Sequence, residues 1–293
     1  MYKLKQNIPS NYFVELYTNI VFRQFENNSP LPGNKQLKFD FLQPKTDRST
    51  PLIIFIKGGG FVNMFKSKYL PQLISFAQKG FAIASIEYRT SNEAKFPSQL
   101  YDVKAAVRYF RAHANQYNID PDNIGVWGNS AGGNLASLLG TTNRNPEFEG
   151  KGEYLNVSSE VKAVVNWYGV IDMLKMPDTR SDSYSSLFIG GPVTEELEKA
   201  KNANPITHID EHTPPFLIMH GDSDKVVPLL QSELLYQALK EKDKEVEYFV
   251  VEGGEHSFLQ FSTRTDALSI VFEFFNRHLG LNLLTNEKKE IVK

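Results

Sequence analysis

Residues 124–140 read IGVWGNSAGGNLASLLG. A short apolar run of strand character turns through Gly-Asn-Ser-Ala-Gly into a segment whose apolar residues recur at helical spacing. A strand-to-helix turn this sharp holds its apical residue, Ser130, in a strained conformation. The residues two positions to either side, Gly128 and Gly132, must be glycines because any Cβ there would collide. The Ser130 hydroxyl then stands at the carboxyl edge of a sheet, beside a helix N-terminus whose dipole favours developing negative charge. Gly133 lets that helix pack closely on the sheet. Strand, elbow and amphipathic helix in this order mark a presented nucleophile rather than a turn that merely starts a helix.

Outward from this turn, short β-branched runs alternate with longer segments of helical period. That is the pattern of a mostly parallel sheet covered by helices. Predicted strands are Leu37 to Leu42, Leu52 to Ile56, Phe81 to Tyr88, Ile124 to Trp127, Val161 to Trp167, Phe216 to His220 and Val246 to Val251. The first alternates apolar and polar, as an antiparallel edge strand would; the later ones are nearly solid apolar, as buried central strands are. Helical stripes at Leu100, Val103, Val107 and Phe110, at Leu230, Leu234, Leu235 and Ala238, and at Ala267, Ile270, Val271 and Phe274 read as core faces. Residues 1–35 precede the first predicted strand as an N-terminal extension. Residues 172–208 are polar, irregular and placed between strands, so they are expected to form a small cap-like insertion covering the active site. The expectation is one α/β domain over 1–293.

Bulk properties narrow the chemistry. The 293 residues are 41% hydrophobic and 23% charged, an ordinary globular balance. With 32 basic against 34 acidic residues there is no positive excess to form a nucleic-acid footprint. The absence of cysteine excludes disulfides, thiolate metal sites and a cysteine nucleophile. The start, MYKLKQNIPSNYFVELYTNI, has no continuous apolar core of a signal peptide, and runs such as PLIIFI are too short to cross a bilayer. The closing NEKKEIVK reads as a solvated end. A cytoplasmic protein without a membrane partner is expected. An edge strand or the C-terminal helix could pair two copies into a homodimer, and nothing in the sequence selects either.

A serine is a poor nucleophile at neutral pH and needs a base, itself oriented by a third group. Of six histidines, His113 lies within a helical segment and His278 in the last turn of another, where both suit structural roles. His220 ends a strand in FLIMHGDSDKVVP, and His256 lies after a strand in VEGGEHSFLQF, on a loop where a mobile base belongs. Asp222 and Asp224 both follow the Phe216 strand at its carboxyl end, and spacing does not separate them. The order Ser130, Asp224, His256 fits the serine–acid–histidine order of an α/β-hydrolase sheet.

A second glycine-rich loop, Lys57-Gly58-Gly59-Gly60, also follows a strand. It is not a phosphate cradle of the Walker type, which needs its lysine after the glycines, nor a dinucleotide loop, since the third position after Gly60 is Asn63. His208-Ile209-Asp210-Glu211-His212 spells the pattern of inverted zinc peptidases, but Pro205 and Pro214 box it into fewer than three helical turns. It is read as coincidence, and neither metal nor cofactor is expected.

Taken together, the glycine loop, GNSAGGNLA, NEAKFPSQLYDVKAAVRYFRAHANQYNIDPDNIGVWG, HGDSDKVVP and GGEHSF resemble an α/β-hydrolase esterase. More narrowly, residues 37–280 are similar to bacterial carboxylesterases related to hormone-sensitive lipase and to acetyl xylan and feruloyl esterases. The resemblance implies Ser130 as nucleophile, His256 as base and Asp224, the second aspartate of its H-G-x-x-D-x-x-V-P pattern, as orienting acid. It further implies an oxyanion hole from the N–H groups of Gly59, Gly60 and Ala131. Lys57 departs from the pattern, which has a histidine that holds the loop by hydrogen bonds. Here Lys57 is expected to fix the loop through backbone carbonyls or a carboxylate.

The function expected is hydrolysis of short acyl, acetyl-type esters, including esters of sugars or hydroxycinnamates, on a small-molecule substrate. Amidase or peptidase action with the same triad, and a non-catalytic binding protein on this scaffold, are the alternatives. Phe61, Val62, Trp167, Tyr168 and Phe258 are candidates for an acyl pocket, and Asn129 faces either the substrate or solvent.

Overall fold

The computed structural model describes residues 11–27, 33–63, 65–257 and 264–281. Phe258 and the charged C-terminal tail lie outside the described residues. In chain order the elements are β1 (Val14–Asn27), β2 (Gly33–Pro44), β3 (Thr50–Ile56), α1 (Leu70–Gln78), β4 (Ala82–Ile86), α2 (Ser98–Ala112), β5 (Ile119–Asn129) and α3 (Ala131–Thr141). Then come β6 (Ala163–Trp167), α4 (Tyr184–Ile189), α5 (Leu197–Asn202), β7 (Phe216–Gly221), α6 (Leu230–Glu241), β8 (Val246–Val251) and α7 (Arg264–Leu279).

The strands form one sheet in the order β1-β2-β4-β3-β5-β6-β7-β8. From β4 to β8 all neighbours are parallel, while β1 and β2 run antiparallel. The near-continuous apolar character of β3 follows from burial on both faces. Leu52, Ile54 and Ile56 pack toward Leu100, Val107 and Leu135 on one side of the sheet. Ile53 and Phe55, of opposite parity, pack toward Leu73, Phe76, Val271 and Phe275 on the other.

Three expectations need correction here. The strand at 37–42 is antiparallel but is not an edge: β1, inside what the sequence suggested was an extension, lies outside it. Its polar residues do not all face solvent. Asp40 is fully buried, accepting from Asn19 N–H at 2.9 Å and lying 3.5 Å from Lys66 Nζ. Conversely β8, read as a central strand, is the far edge and half exposed. The stretch 172–208 is more ordered than its polarity implies, with α4 and α5 between short 3-10 turns at Met173–Lys175 and Pro205–His208.

This topology fixes where a ligand can enter. From β3 the chain steps to β4 on one side, and from β5 onward it proceeds the other way, so the loops after β3 and β5 diverge and open a crevice at the carboxyl edge. Ile56, at the end of β3, pairs with Gly128 just before Ser130, which brings the loop at 57–60 beside the elbow. At the other side β7 and β8 are neighbours, with Gly221 opposite Val251, so the loops carrying Asp224 and His256 leave together.

Candidate active site

Ser130 is the N-cap of α3 with φ +53° and ψ −126°, a region costly for a residue with a side chain. Packing enforces it. A Cβ on Gly128 would stand 2.0 Å from the Gly132 carbonyl oxygen, and one on Gly132 would stand 2.0 Å from that of Ile56. The Ser130 N–H donates to the Trp167 carbonyl at 2.8 Å, locking the elbow to β6.

The side chains of Ser130, His256 and Asp224 meet in one hydrogen-bonded line. His256 Nε2 lies 3.1 Å from Ser130 Oγ, and His256 Nδ1 lies 2.7 Å from Asp224 Oδ2. Because a carboxylate only accepts, Nδ1 carries the ring proton and leaves Nε2 free to accept from the serine hydroxyl. The Asp224 side chain is fully buried, whereas Asp222 is exposed and holds the Gly253 N–H at 2.8 Å. Burial alone would raise the Asp224 carboxyl; hydrogen bonds from His220, His256 and the Val227 N–H outweigh it and hold the group well below the usual carboxylate range.

His220 was legible only as the end of a strand. It is fully buried, with Nε2 2.9 Å from the Val227 carbonyl and 3.2 Å from Asp224 Oδ2. Its Nδ1 lies 2.7 Å from Ser232 Oγ. Nε2 therefore bears the proton, Ser232 donates to Nδ1, and the ring shares Asp224 Oδ2 with His256. The spacing of His220 and Asp224, four residues apart across the end of β7, was the available signal.

The glycine loop faces this line. Gly58 donates its N–H to Asn129 Oδ1 at 3.0 Å. Among the described residues the N–H groups of Gly59, Gly60 and Ala131 have no acceptor, and all three residues line the same cavity as Ser130. With φ of +151° and +60°, Gly59 and Gly60 adopt backbone that other residues rarely sustain. A Cβ on Gly59 would also stand 2.1 Å from the Asn63 carbonyl.

The cavity measures about 250 Å³ and opens between this loop, His256 and the segment at 176–185. Phe61 lines it, buried, with its ring stacked at 3.8 Å on Phe188 of α4, which ties the insertion to the glycine loop. Tyr184 and Met176 of that insertion contribute walls that no sequence motif marked. Asn129 lines the cavity too, but its amide braces the Gly58 N–H and reaches the hydroxyls of Tyr69 and Tyr168. Tyr168 is fully buried behind His256, the rings 4.8 Å apart. Val62 sits in the turn following Gly59 and is not among the lining residues. Trp167 is a correction: it is fully buried in the core, edge-on to Trp127, and is not among the residues lining the cavity.

Lys57 also departs from expectation. It is buried, it lines the cavity, and its ammonium meets neither a carbonyl nor a carboxylate among the described residues. The loop is held instead by the Tyr88 hydroxyl, which donates to the Lys57 carbonyl at 3.0 Å, and by Asn129. Of the H-x-x-E-H pattern, His208 closes a 3-10 turn with Nε2 2.9 Å from the Asn202 carbonyl and its ring against Phe148. Among the described residues no group of three potential ligands is placed to hold a metal. Nor is any helix among them long and apolar enough to cross a membrane.

Comparison with known proteins bears on this geometry. The BD-FAE family model matches residues 39–239, a span from β2 to α6 that includes the glycine loop, Ser130 and Asp224. The chain belongs to the BD-FAE family. This BD-FAE protein is similar to "Probable carboxylic ester hydrolase LipM" of Mycobacterium tuberculosis, 32% identical over 78% of this chain and 54% of LipM. It spans about half the length of the curated relatives it matches. Among solved structures it is similar to a truncated carbohydrate esterase from gut microbiota, 30% identical with a TM-score of 0.80, covering 94% of this chain and 100% of that one. It is also similar to a bifunctional GH43-CE protein of Bacteroides eggerthii, 35% identical with a TM-score of 0.80 over 94% of this chain and 36% of that one. These neighbours and the strand order identify the fold as that of the α/β-hydrolase esterases.

Proposed function

We propose that this BD-FAE protein is a serine carboxylesterase acting on short-chain, acetyl-type esters, with esters of sugars and hydroxycinnamates as the natural substrate classes. The observation that carries the reading is the line Ser130–His256–Asp224, at a cavity lined also by Gly59, Gly60 and Ala131, whose N–H groups have no acceptor among the described residues. Ser130 Oγ attacks the ester carbonyl as His256 Nε2 takes its proton. Asp224 holds the ring tautomer and stabilises the imidazolium. The Gly59, Gly60 and Ala131 N–H groups receive the tetrahedral oxyanion, each such donor contributing about 2.7–4 kcal/mol to the transition state. The alcohol departs with the proton from His256, and water repeats the cycle on the acyl-enzyme. The scheme uses no metal or cofactor.

The names of LipM and of the gut carbohydrate esterase support ester hydrolysis, and the latter supports a sugar ester. The cavity, about 250 Å³, lies below the usual range of drug-sized sites and supports a short acyl chain. In a p-nitrophenyl series, kcat/KM is expected to peak between acetate and butyrate and to fall about tenfold or more by octanoate, as each misfitting methylene is rejected. Acetylated xylose and methyl ferulate assayed alongside separate the two natural classes. Highest activity on octanoate or longer would contradict the short-chain reading.

Asn129 offers a test of the loop. Asn129→Ala removes the acceptor that fixes Gly58 and is expected to lower kcat on p-nitrophenyl acetate about 10- to 100-fold with little change in KM. An unchanged kcat would mean that the brace does not position the donors.

A further inference from the structure

The esterase reading leaves one buried charge unexplained. Three lysines are buried among the described residues, and two of them are fully partnered. Lys66 meets Asn19, Asp40 and Glu87, and Lys104 meets Glu149, Ser159 and the Thr142 carbonyl. Lys57, 8% exposed, has no such partner, although a buried ammonium without an anion or carbonyl is costly. Its Nζ stands beside the glycine loop, 3.2 Å from where a Cβ on Gly59 would lie. The one direction left for it to find an acceptor is the cavity that it lines.

That cavity is electrostatically one-sided. Lys68 lines it as well, exposed and without an ion pair among the described residues, and none of the described lining residues is acidic. Burial first, and then the nearby Lys68 ammonium, push the Lys57 pKa down from the ordinary lysine value. Two cations that repel each other on the wall of one pocket form a site for an anion, which would relieve both the desolvation and the repulsion.

We infer that the site selects esters carrying a negatively charged group, of which a carboxylate is the simplest, bound by Lys57 with support from Lys68 beside the oxyanion loop. This rests on the esterase reading and narrows its substrate class. A uronate-type sugar ester or the monoester of a dicarboxylic acid has the required chemistry. The charge sits on the alcohol in the first case and on the acyl chain in the second.

The test is a ratio. By pH-stat, kcat/KM is measured for ethyl hydrogen succinate against its neutral isostere ethyl succinamate, and for 3-acetoxybenzoate against 3-acetoxybenzamide. The first pair places the anion on the acyl side and the second on the alcohol side. The anionic member is expected to lead about tenfold or more in at least one pair, the advantage of a charge-assisted hydrogen bond. Lys57→Met should bring that ratio close to one, Lys57→Arg should retain much of it, and Lys68→Gln should reduce it in part. Because each ratio is internal to one variant, a general loss of folding or loop placement does not imitate the effect. A wild-type ratio near or below one in both pairs, with the neutral esters turned over, overturns the anion site and leaves the esterase standing. An undiminished ratio in Lys57→Met overturns it too, and equal loss on both members would place Lys57 in oxyanion electrostatics instead. No turnover of any of the four overturns the esterase reading itself.

Discussion

Ser130→Ala is expected to lower kcat/KM on p-nitrophenyl acetate by about five to six orders of magnitude, leaving only what the oxyanion donors and binding contribute over water. Ser130 Oγ is the atom His256 Nε2 reaches at 3.1 Å, and no other hydroxyl is hydrogen-bonded to that nitrogen among the described residues. The backbone should not change, because alanine and serine tolerate the φ of +53° equally poorly and the glycines on either side keep the turn. The check is the residual rate, with thermal unfolding confirming that the variant remains folded. A loss of less than a hundredfold would move the nucleophile elsewhere.

The second large effect separates two aspartates that lie two residues apart. Asp224→Asn is expected to cost about four orders of magnitude in kcat, because an amide accepts at one end only. Its NH2 must face either the two histidines now on Oδ2 or the Val226 and Val227 N–H groups now on Oδ1, and in the first case it stabilises the wrong imidazole tautomer. Asp222→Asn should stay within about threefold, since the amide oxygen can still accept from the exposed Gly253 N–H. Steady-state kinetics on the pair decides it. The reverse ranking would mean that the hydrogen-bonded line seen here is not the working one.

Much of this was written in the sequence because the decisive features are local. The glycines at 128 and 132 are forced by contacts shorter than any Cβ could tolerate, so the pentapeptide and the geometry are nearly the same statement. What the sequence obscured depends on neighbours distant along the chain. The alternation in β2 reported polarity and suggested an edge strand, but Asp40 is turned into a buried cluster with Lys66 and Asn19. Trp167 looked like a pocket aromatic by proximity to the carboxyl edge. Its strand parity, shared with Val165 and opposite to Asn166, places it in the buried cluster with Trp127, Phe55 and Phe76. Asp222 and Asp224 were indistinguishable by spacing, whereas the fold buries one and exposes the other. Lys57 carried no signal of its missing partner, since a pattern of residues cannot report which acceptor is absent. Tyr184 and Met176 reach the cavity on an insertion held by contacts remote in sequence, among them Phe188 stacked on Phe61 and the Phe96 N–H bonded to the Phe188 carbonyl.

The central claim is an acyl group transferred to Ser130. Rapid mixing with p-nitrophenyl acetate, quenching in acid, and peptide mass spectrometry test it most directly, using Asp224→Asn alongside the wild type to slow turnover. The account predicts an acetyl increment on the peptide that carries Ser130, formed with the first equivalent of nitrophenol and absent from Ser130→Ala. Turnover with that peptide unlabelled, or an acetyl group on another residue whose loss abolishes activity, would contradict it.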